Sequence, residues 1–244
     1  MKNYTYLLIN FFTVIIPFAF SFHPRLNFYK TWKAFFPAAI ITGFCFILWD
    51  IAFTHLDVWG FNERYLIGIE IANLPVEEIL FFLCIPYACV FTFHCLSLFL
   101  PDTFSDSLQG KITFTLILFL AVFGIVYFNK IYTSVTFLSL AILLAISAWV
   151  FKIKWLTKFY IVYGILLLPF LIVNGILTGT GLNEPIVWYN EAEIIGLRIM
   201  TIPVEDVFYG MELILINVLL YEYLKDSYSL NNRRNYGTRT QKRR

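Results

Sequence analysis

Residues 62–78 and 190–206 are two copies of one sequence pattern, separated by a constant offset of 128 residues. Asn, Glu, Ile, Gly, Pro and Val recur in register, and each copy ends in an acidic pair, Glu77-Glu78 and Glu205-Asp206. A long apolar run follows each pair directly. Carboxylates are costly at the mouth of an apolar helix, so a chain built from two such halves must have a use for them.

Seven apolar runs make up most of the chain. The 244 residues are 59% hydrophobic and 14% charged, whereas soluble domains carry about a quarter charged residues. Each run is near the roughly 20 residues that an α-helix needs to cross a hydrocarbon core. The sequence therefore predicts an all-α integral membrane protein with seven transmembrane helices, at about residues 4–22, 34–53, 75–100, 112–128, 132–151, 159–177 and 203–224.

The same offset relates these helices to one another. It places the first three runs on the last three and leaves the fourth as a linker. One linker crossing restores the starting side of the membrane, so the two three-helix repeats run parallel about an axis along the membrane normal. We expect a 3+1+3 architecture with both acidic pairs on one side: a first repeat at 1–105, a linker helix at 106–130, a second repeat at 131–226 and a basic tail at 227–244.

Basic residues are distributed unevenly between the two sides of this topology. Fourteen of the 18 lysines and arginines fall on one side, including those of the tail. By the positive-inside rule, the chain is a multi-pass protein of the cell membrane with its N-terminus outside and its C-terminus cytoplasmic. Trp59 and Trp188 are then expected as anchors at the outer interface. The polar tail is typical of a disordered segment that touches anionic lipid, and it is too short to indicate nucleic-acid binding.

The acidic pairs allow a structural and a functional interpretation. Acidic residues behind a proline are common in a first helical turn, where the helix dipole favours them, and Asn73 and Thr201 are suitable helix caps. Two paired carboxylates at membrane helix ends favour a functional site. Glu77 and Glu205 occupy equivalent places after Pro-Val, so they are the predicted proton-handling residues, with Glu78 and Asp206 as partners that tune or orient them.

Other polar and aromatic residues lie on the same side of the predicted bundle. Asp50 and Asn174 stand near the ends of the second and sixth helices, where they can pair with a neighbouring helix. Aromatic residues follow the acids by about one turn, and aromatic faces attract positive charge; these are Phe81, Phe82, Phe208 and Tyr209. Because no His, Cys and Asp residues show metal-ligand spacing and no nucleotide-binding motif occurs, we predict neither a metal nor a cofactor.

The duplicated motif resembles that of the integral-membrane lycopene cyclase family. Pro-Val-Glu-Glu is followed here by Phe81-Phe82, and Pro-Val-Glu-Asp by Phe208-Tyr209. In that family two three-helix polypeptides act together or are fused, as here, and the fold differs from that of the flavin-dependent cyclases. The resemblance covers about residues 3–225. It departs from an even repeat at Asp206, in place of a second glutamate, and at Gly210, the counterpart of Phe82, so the two halves of the site should differ.

The resemblance implies a substrate and a reaction. Lycopene, a linear polyene dissolved in the membrane, would be cyclised at its ends to β-ionone rings without net redox change. Acid–base cyclisation needs an acid, a base, aromatic walls and exclusion of water. The four carboxylates are the implied catalytic residues, and the implied substrate-binding residues are Phe81, Phe82, Phe208, Tyr209, Asp50 and Asn174. The expected partners are lycopene, membrane lipid and other enzymes of the carotenoid pathway, with no nucleic acid.

Two other functions remain open at the level of the sequence. Parallel three-helix repeats joined by one helix also describe a class of sugar carriers, although a sugar pore needs more hydroxyl and amide groups near the midplane than this chain has. A carotenoid hydratase would use the same acid to make a tertiary alcohol. The pigments of a lycopene-accumulating host that expresses the chain would discriminate among the three.

Overall fold

The computed structural model describes residues 2–100 and 105–241, with side chains described for 3–100 and 105–228. Within these ranges the chain forms seven α-helices: α1 (Thr5–Phe20), α2 (Trp32–His55), α3 (Val76–Ser97), α4 (Asp106–Val126), α5 (Ile131–Ala145), α6 (Leu156–Leu177) and α7 (Val204–Gln241). Six short strands lie in the connections: β1 (Trp59–Phe61), β2 (Glu70–Ile71), β3 (Leu74–Pro75), β4 (Val187–Tyr189), β5 (Arg198–Ile199) and β6 (Ile202–Pro203).

The helices have the length and surface of membrane spans. Six apolar helical segments of the described chain are long enough to cross a membrane, and α1 is a shorter apolar helix of 16 residues. Large hydrophobic side chains face outward, among them Ile40, Phe44 and Ile125. Such a surface is stable against lipid tails and unfavourable against water. The chain is therefore an all-α, multi-pass membrane protein, as the sequence predicts.

Most predicted helix boundaries are correct to within a few residues, and the exceptions have local causes. Pro75 and Pro203 belong to strands β3 and β6, so α3 and α7 begin one residue later than predicted. After α5 the chain widens into a π-helical turn, Ile146–Val150. Helix α7 continues to Gln241, past the predicted end of the seventh helix at about residue 224. A helix that is already formed extends more readily than a new one starts.

A pair of equivalent strands joins the two repeats at one end of the bundle. Strands β1 and β4 are 128 residues apart and pair antiparallel, with Gly60 opposite its own counterpart, Trp188. An added Cβ at Gly60 would lie 2.3 Å from the Trp188 ring, so a glycine allows the indole to cross this point. Equivalent residues face each other only about a twofold axis, and that axis here passes between the two strands. Both acidic motifs consequently lie at the same end of the bundle, which we call the motif end.

The loop before each acidic helix has the same conformation in both repeats. The hairpins β2–β3 and β5–β6 turn through Ala72 and Met200, whose φ values are 59° and 58°. Gly68 and Gly196 adopt φ values of 82° and 85°, a region that favours glycine. The matching conformations follow from the matching sequences and place Glu77 and Glu205 at equivalent points.

The helices pack unevenly around this twofold arrangement. Helix α2 packs closely against α3 and α7, and the linker helix α4 packs along α5. Helix α6, the counterpart of α2, contacts α3 and α7 much more sparsely. The bundle is therefore closed on the α2 side and open on the α6 side.

Candidate active site

The first acid of each motif fastens the preceding loop to its helix. The Glu77 carboxylate accepts the amide N–H of Ile67 at 2.7 Å, and Glu205 accepts that of Ile195, also at 2.7 Å. Glu205 accepts a second hydrogen bond, from the Thr133 hydroxyl at 2.6 Å. Both glutamates are 0% exposed, and each uses only one of its oxygens in these contacts. The duplicated geometry indicates a shared role in holding the loop.

The two residues proposed as helix caps have other partners. Asn73 donates its side-chain amide to the carbonyl of Ile51, and the start of α3 has no side-chain cap. The Thr201 hydroxyl bonds to the hydroxyls of Thr178 and Thr180. The capping prediction is therefore wrong for Asn73, because the hairpin carries that residue away from the helix start and toward α2.

The second acid of each motif faces a cavity of about 830 Å³. Glu78 and Asp206 both line it, although they belong to different repeats, whereas Glu77 and Glu205 are not among its lining residues. Its walls come mainly from α1, α3, α6 and α7, and Asp50 of α2, Tyr132 of α5 and strands β1 and β4 complete the lining. The two acidic motifs thus contribute to one site.

Asp206 accepts hydrogen bonds from three side chains of the second repeat. The hydroxyls of Tyr132 and Tyr189 donate at 2.7 and 2.9 Å, and the amide of Asn174 donates at 3.3 Å. Burial and the neighbouring Asp206 carboxylate raise the pKa of Tyr189 well above its usual range, so this phenol remains a neutral donor. Three donors around one carboxylate are the arrangement that stabilises negative charge.

Glu78 and Asp50 form the part of the site contributed by the first repeat. The hydroxyl of Tyr6 donates to Glu78, and the Trp59 indole N–H donates to Asp50 at 2.6 Å. The second oxygen of Asp50 is buried without a protein partner. Trp59 is only 6% exposed, so the prediction that it is an interfacial anchor is wrong. Its ring packs instead against Phe53 and Tyr132, with ring centroids 5.0 Å apart in both pairs.

The four aromatic residues selected from the sequence separate into two groups. Phe81 and Tyr209 line the cavity. Phe82 is packed against Phe46 with ring centroids 6.1 Å apart, and Phe208 against Phe137 at 4.7 Å. Both of these rings lie outside the cavity lining. A spacing of one turn brings residues near the acids, but the direction in which each ring points depends on neighbouring helices.

Several site residues have no signal in the sequence that singles them out. Tyr6, Tyr132, Tyr189 and Trp59 look like ordinary aromatic residues of a membrane protein. They reach the acids from 72, 74, 17 and 9 residues away along the chain, so only the tertiary fold reveals them. Among the described residues, no group of three or more His, Cys, Asp or Glu side chains is placed to hold a metal ion.

Comparison with known proteins agrees with the duplicated geometry. The family model for lycopene cyclase matches residues 3–96 and 129–224, one stretch in each repeat. Neither a curated protein nor a solved structure gives a significant match. The matched stretches make up most of the chain and include both acidic motifs, Tyr6, Tyr132, Tyr189 and Asn174. This chain therefore belongs to the lycopene cyclase family.

Proposed function

We propose that the protein is a lycopene β-cyclase, which closes β-ionone rings at the ends of lycopene by acid–base catalysis. The observation that carries this proposal is one largely apolar cavity into which both repeats direct a carboxylate, Glu78 and Asp206. An apolar wall suits a hydrocarbon substrate, and a pair of carboxyl groups suits a reaction that adds one proton and removes another.

The hydrogen bonds support different roles for the two carboxyl groups. Asp206, with three donors, is suited to carry negative charge as the base. Glu78 has the Tyr6 hydroxyl as its donor and shares the cavity with Asp50. Two acids in one buried site favour a state in which one keeps its proton. We therefore assign Glu78 as the proton donor and Asp206 as the proton acceptor.

This assignment reverses the division of roles expected from the sequence. The sequence placed proton transfer on Glu77 and Glu205, but a general acid must reach the atom that it protonates. Those two glutamates hold loop amides and do not line the cavity. We propose that they position the site, while the second acid of each motif carries out the chemistry.

The proposed reaction balances without a cofactor. Glu78 transfers its proton to the terminal alkene, a neighbouring double bond attacks the resulting cation and closes the ring, and Asp206 removes a ring proton. For each ring, Glu78 loses one proton and Asp206 gains one. Before the next cycle Asp206 must release its proton and Glu78 must take one up. Phe81 and Tyr209 line the cavity and can stabilise the cation through their ring faces. Removal of the proton that gives the β ring, rather than the ε ring, is part of the proposal.

The contacts favour cyclisation over the two alternative functions. The carboxyl groups are shielded from water: Asp50, Glu78 and Asp206 are 2%, 8% and 3% exposed, and the Trp59 indole N–H donates to Asp50. Shielding the cation from water disfavours formation of a tertiary alcohol, the product of a hydratase. A sugar carrier would need polar groups along its path, whereas the walls away from the motif end are mainly aliphatic and aromatic.

The proposed location of the protein is the cell membrane, which its helices cross. We assign the N-terminus to the outside and the C-terminus to the cytoplasm, with lipid and other carotenoid enzymes as partners, because most basic residues fall on the side of the C-terminus. The first repeat is assigned to residues 1–105, the linker helix to 106–130, the second repeat to 131–226 and the tail to 227–244. A fluorescent protein fused after Arg244 is expected to fluoresce, and alkaline phosphatase at the same point to stay inactive. The opposite pair of results would contradict this orientation.

A lycopene-accumulating host that expresses the chain is expected to make carotenoids with β rings. Chromatography of the pigment extract measures the conversion. In deuterated water each new ring should gain one deuterium, because the proton comes from an exchangeable carboxyl group. Unchanged lycopene beside membrane-inserted protein would refute the cyclase, a hydroxylated acyclic product would indicate the hydratase, and ε rings would refute only the ring type.

A further inference from the structure

Phe82 and Gly210 occupy equivalent positions, four residues after the second acid of each motif, but they differ completely in size. Phe82 is 2% exposed and packs against Phe46 of α2. At Gly210 an added Cβ would lie 3.2 Å from the Tyr163 hydroxyl oxygen and 3.6 Å from a Phe170 ring carbon. The phenyl ring that fills the α2–α3 interface therefore has no counterpart between α6 and α7.

A second difference between the repeats also removes an aromatic ring from the second repeat. The residue equivalent to Phe46 is Asn174, so two facing aromatic rings of the first repeat are replaced by an amide and a glycine in the second. The α6 helix correspondingly contacts α7 and α3 sparsely, and Gly210, Tyr163 and Phe170 all line the cavity in that gap. The cavity thus exists on one side of the twofold axis because the repeat is broken there.

The cavity is elongated and has its acidic groups at one end. Its lining extends along α3 from Glu78 to Thr92, about 21 Å at 1.5 Å per residue. Away from the acids the walls are mainly apolar, with Ile85, Leu166 and Leu213 among them. The side between α1 and α6 carries outward-facing apolar residues, for example Phe12 and Ile172, which are 65% and 66% exposed. A linear apolar molecule could reach this groove from the bilayer.

We propose that Gly210 keeps open the path of the polyene chain, so that each polypeptide binds one linear polyene with a single end group at the acids. The identity of the ligand rests on the proposed function. Because Glu78, Asp50 and Asp206 are all at one end of the groove, the second end reacts only after the molecule leaves and rebinds in reverse.

Lycopene binding tests this path separately from turnover. The full-length protein carrying Asp206→Asn is purified in detergent with lycopene, and the bound pigment per polypeptide is measured by absorption. We expect about one lycopene per chain, and at least tenfold weaker binding after Gly210→Leu or Gly210→Phe, because overfilling a packed site is costly. Gly164→Leu is the matched control, since this α6 glycine is exposed and has no atoms near its absent Cβ.

A compensating pair of substitutions separates blockage of the path from misfolding. Tyr163→Phe and Phe170→Ala together remove the atoms nearest to an added Cβ at Gly210, so the pair should restore lycopene binding in the Gly210→Leu protein. Unchanged binding in both Gly210 variants, failure of this pair to restore it, or two lycopenes per chain would overturn the proposal. Binding that depends on Gly210 in a protein that forms no rings in its wild-type form would support the path and refute the proposed cyclase.

Discussion

Asp206→Asn is expected to lower the rate of ring formation by about 10²–10⁴-fold, the usual cost of removing a general acid or base. Asparagine keeps the size of the side chain, and its carbonyl can still accept from Tyr132 or Tyr189, but it cannot take up the ring proton. Glu78→Gln should have an effect in the same range, because the amide of glutamine is far too weak an acid to protonate the alkene. Both variants should insert and accumulate like the wild type.

The measurement is the initial rate of ring formation in membranes supplied with lycopene, normalised to the amount of inserted protein. Glu184→Gln is a suitable control because Glu184 is partly exposed, pairs with Arg64 on the surface and lies outside the cavity lining. Its ion pair should contribute no more than about 1 kcal/mol. Normal ring formation by both Glu78→Gln and Asp206→Asn would remove these residues from the mechanism.

The overall architecture could be predicted because its causes lie in short stretches of sequence. Apolar runs of about 20 residues determine the helices, and one linker run makes the repeats parallel. The strand pairing of Trp59 with Tyr189 and of Gly60 with Trp188 confirms that both motifs meet at one end. The six strands were not predicted, since segments of two or three residues carry almost no periodic signal.

The distribution of roles within the site could not be predicted in the same way. The sequence treats Glu77 and Glu78 as neighbours, yet adjacent helical residues point in different directions, one toward the loop amide of Ile67 and one into the cavity. The partners Tyr6 and Tyr132 lie more than 70 residues from their acids. The broken repeat at Gly210 was visible in the sequence, but its consequence depends on how α6 packs.

Glu205→Ala is expected to destabilise the protein and abolish most activity, whereas Glu205→Gln should retain much of both. Alanine leaves the Ile195 amide without its acceptor and takes away the acceptor of the Thr133 hydroxyl, and each unpaired buried donor costs about 1–3 kcal/mol. Glutamine keeps a carbonyl oxygen that can accept from both donors. The same contrast is expected at Glu77, which holds the Ile67 amide.

Thermal unfolding in detergent and the rate of ring formation should be measured for both substitutions at Glu205 and for Asp206→Asn. If Glu205 only positions the loop, Glu205→Ala should lose stability and activity together, and Glu205→Gln should keep most of both. If Glu205 instead transfers the proton, Glu205→Gln should be as inactive as Asp206→Asn, and the melting temperature of Glu205→Gln should equal that of the wild type. That second pattern would return the acid–base role to the first acid of each motif, because only the titratable proton distinguishes glutamate from glutamine at this site.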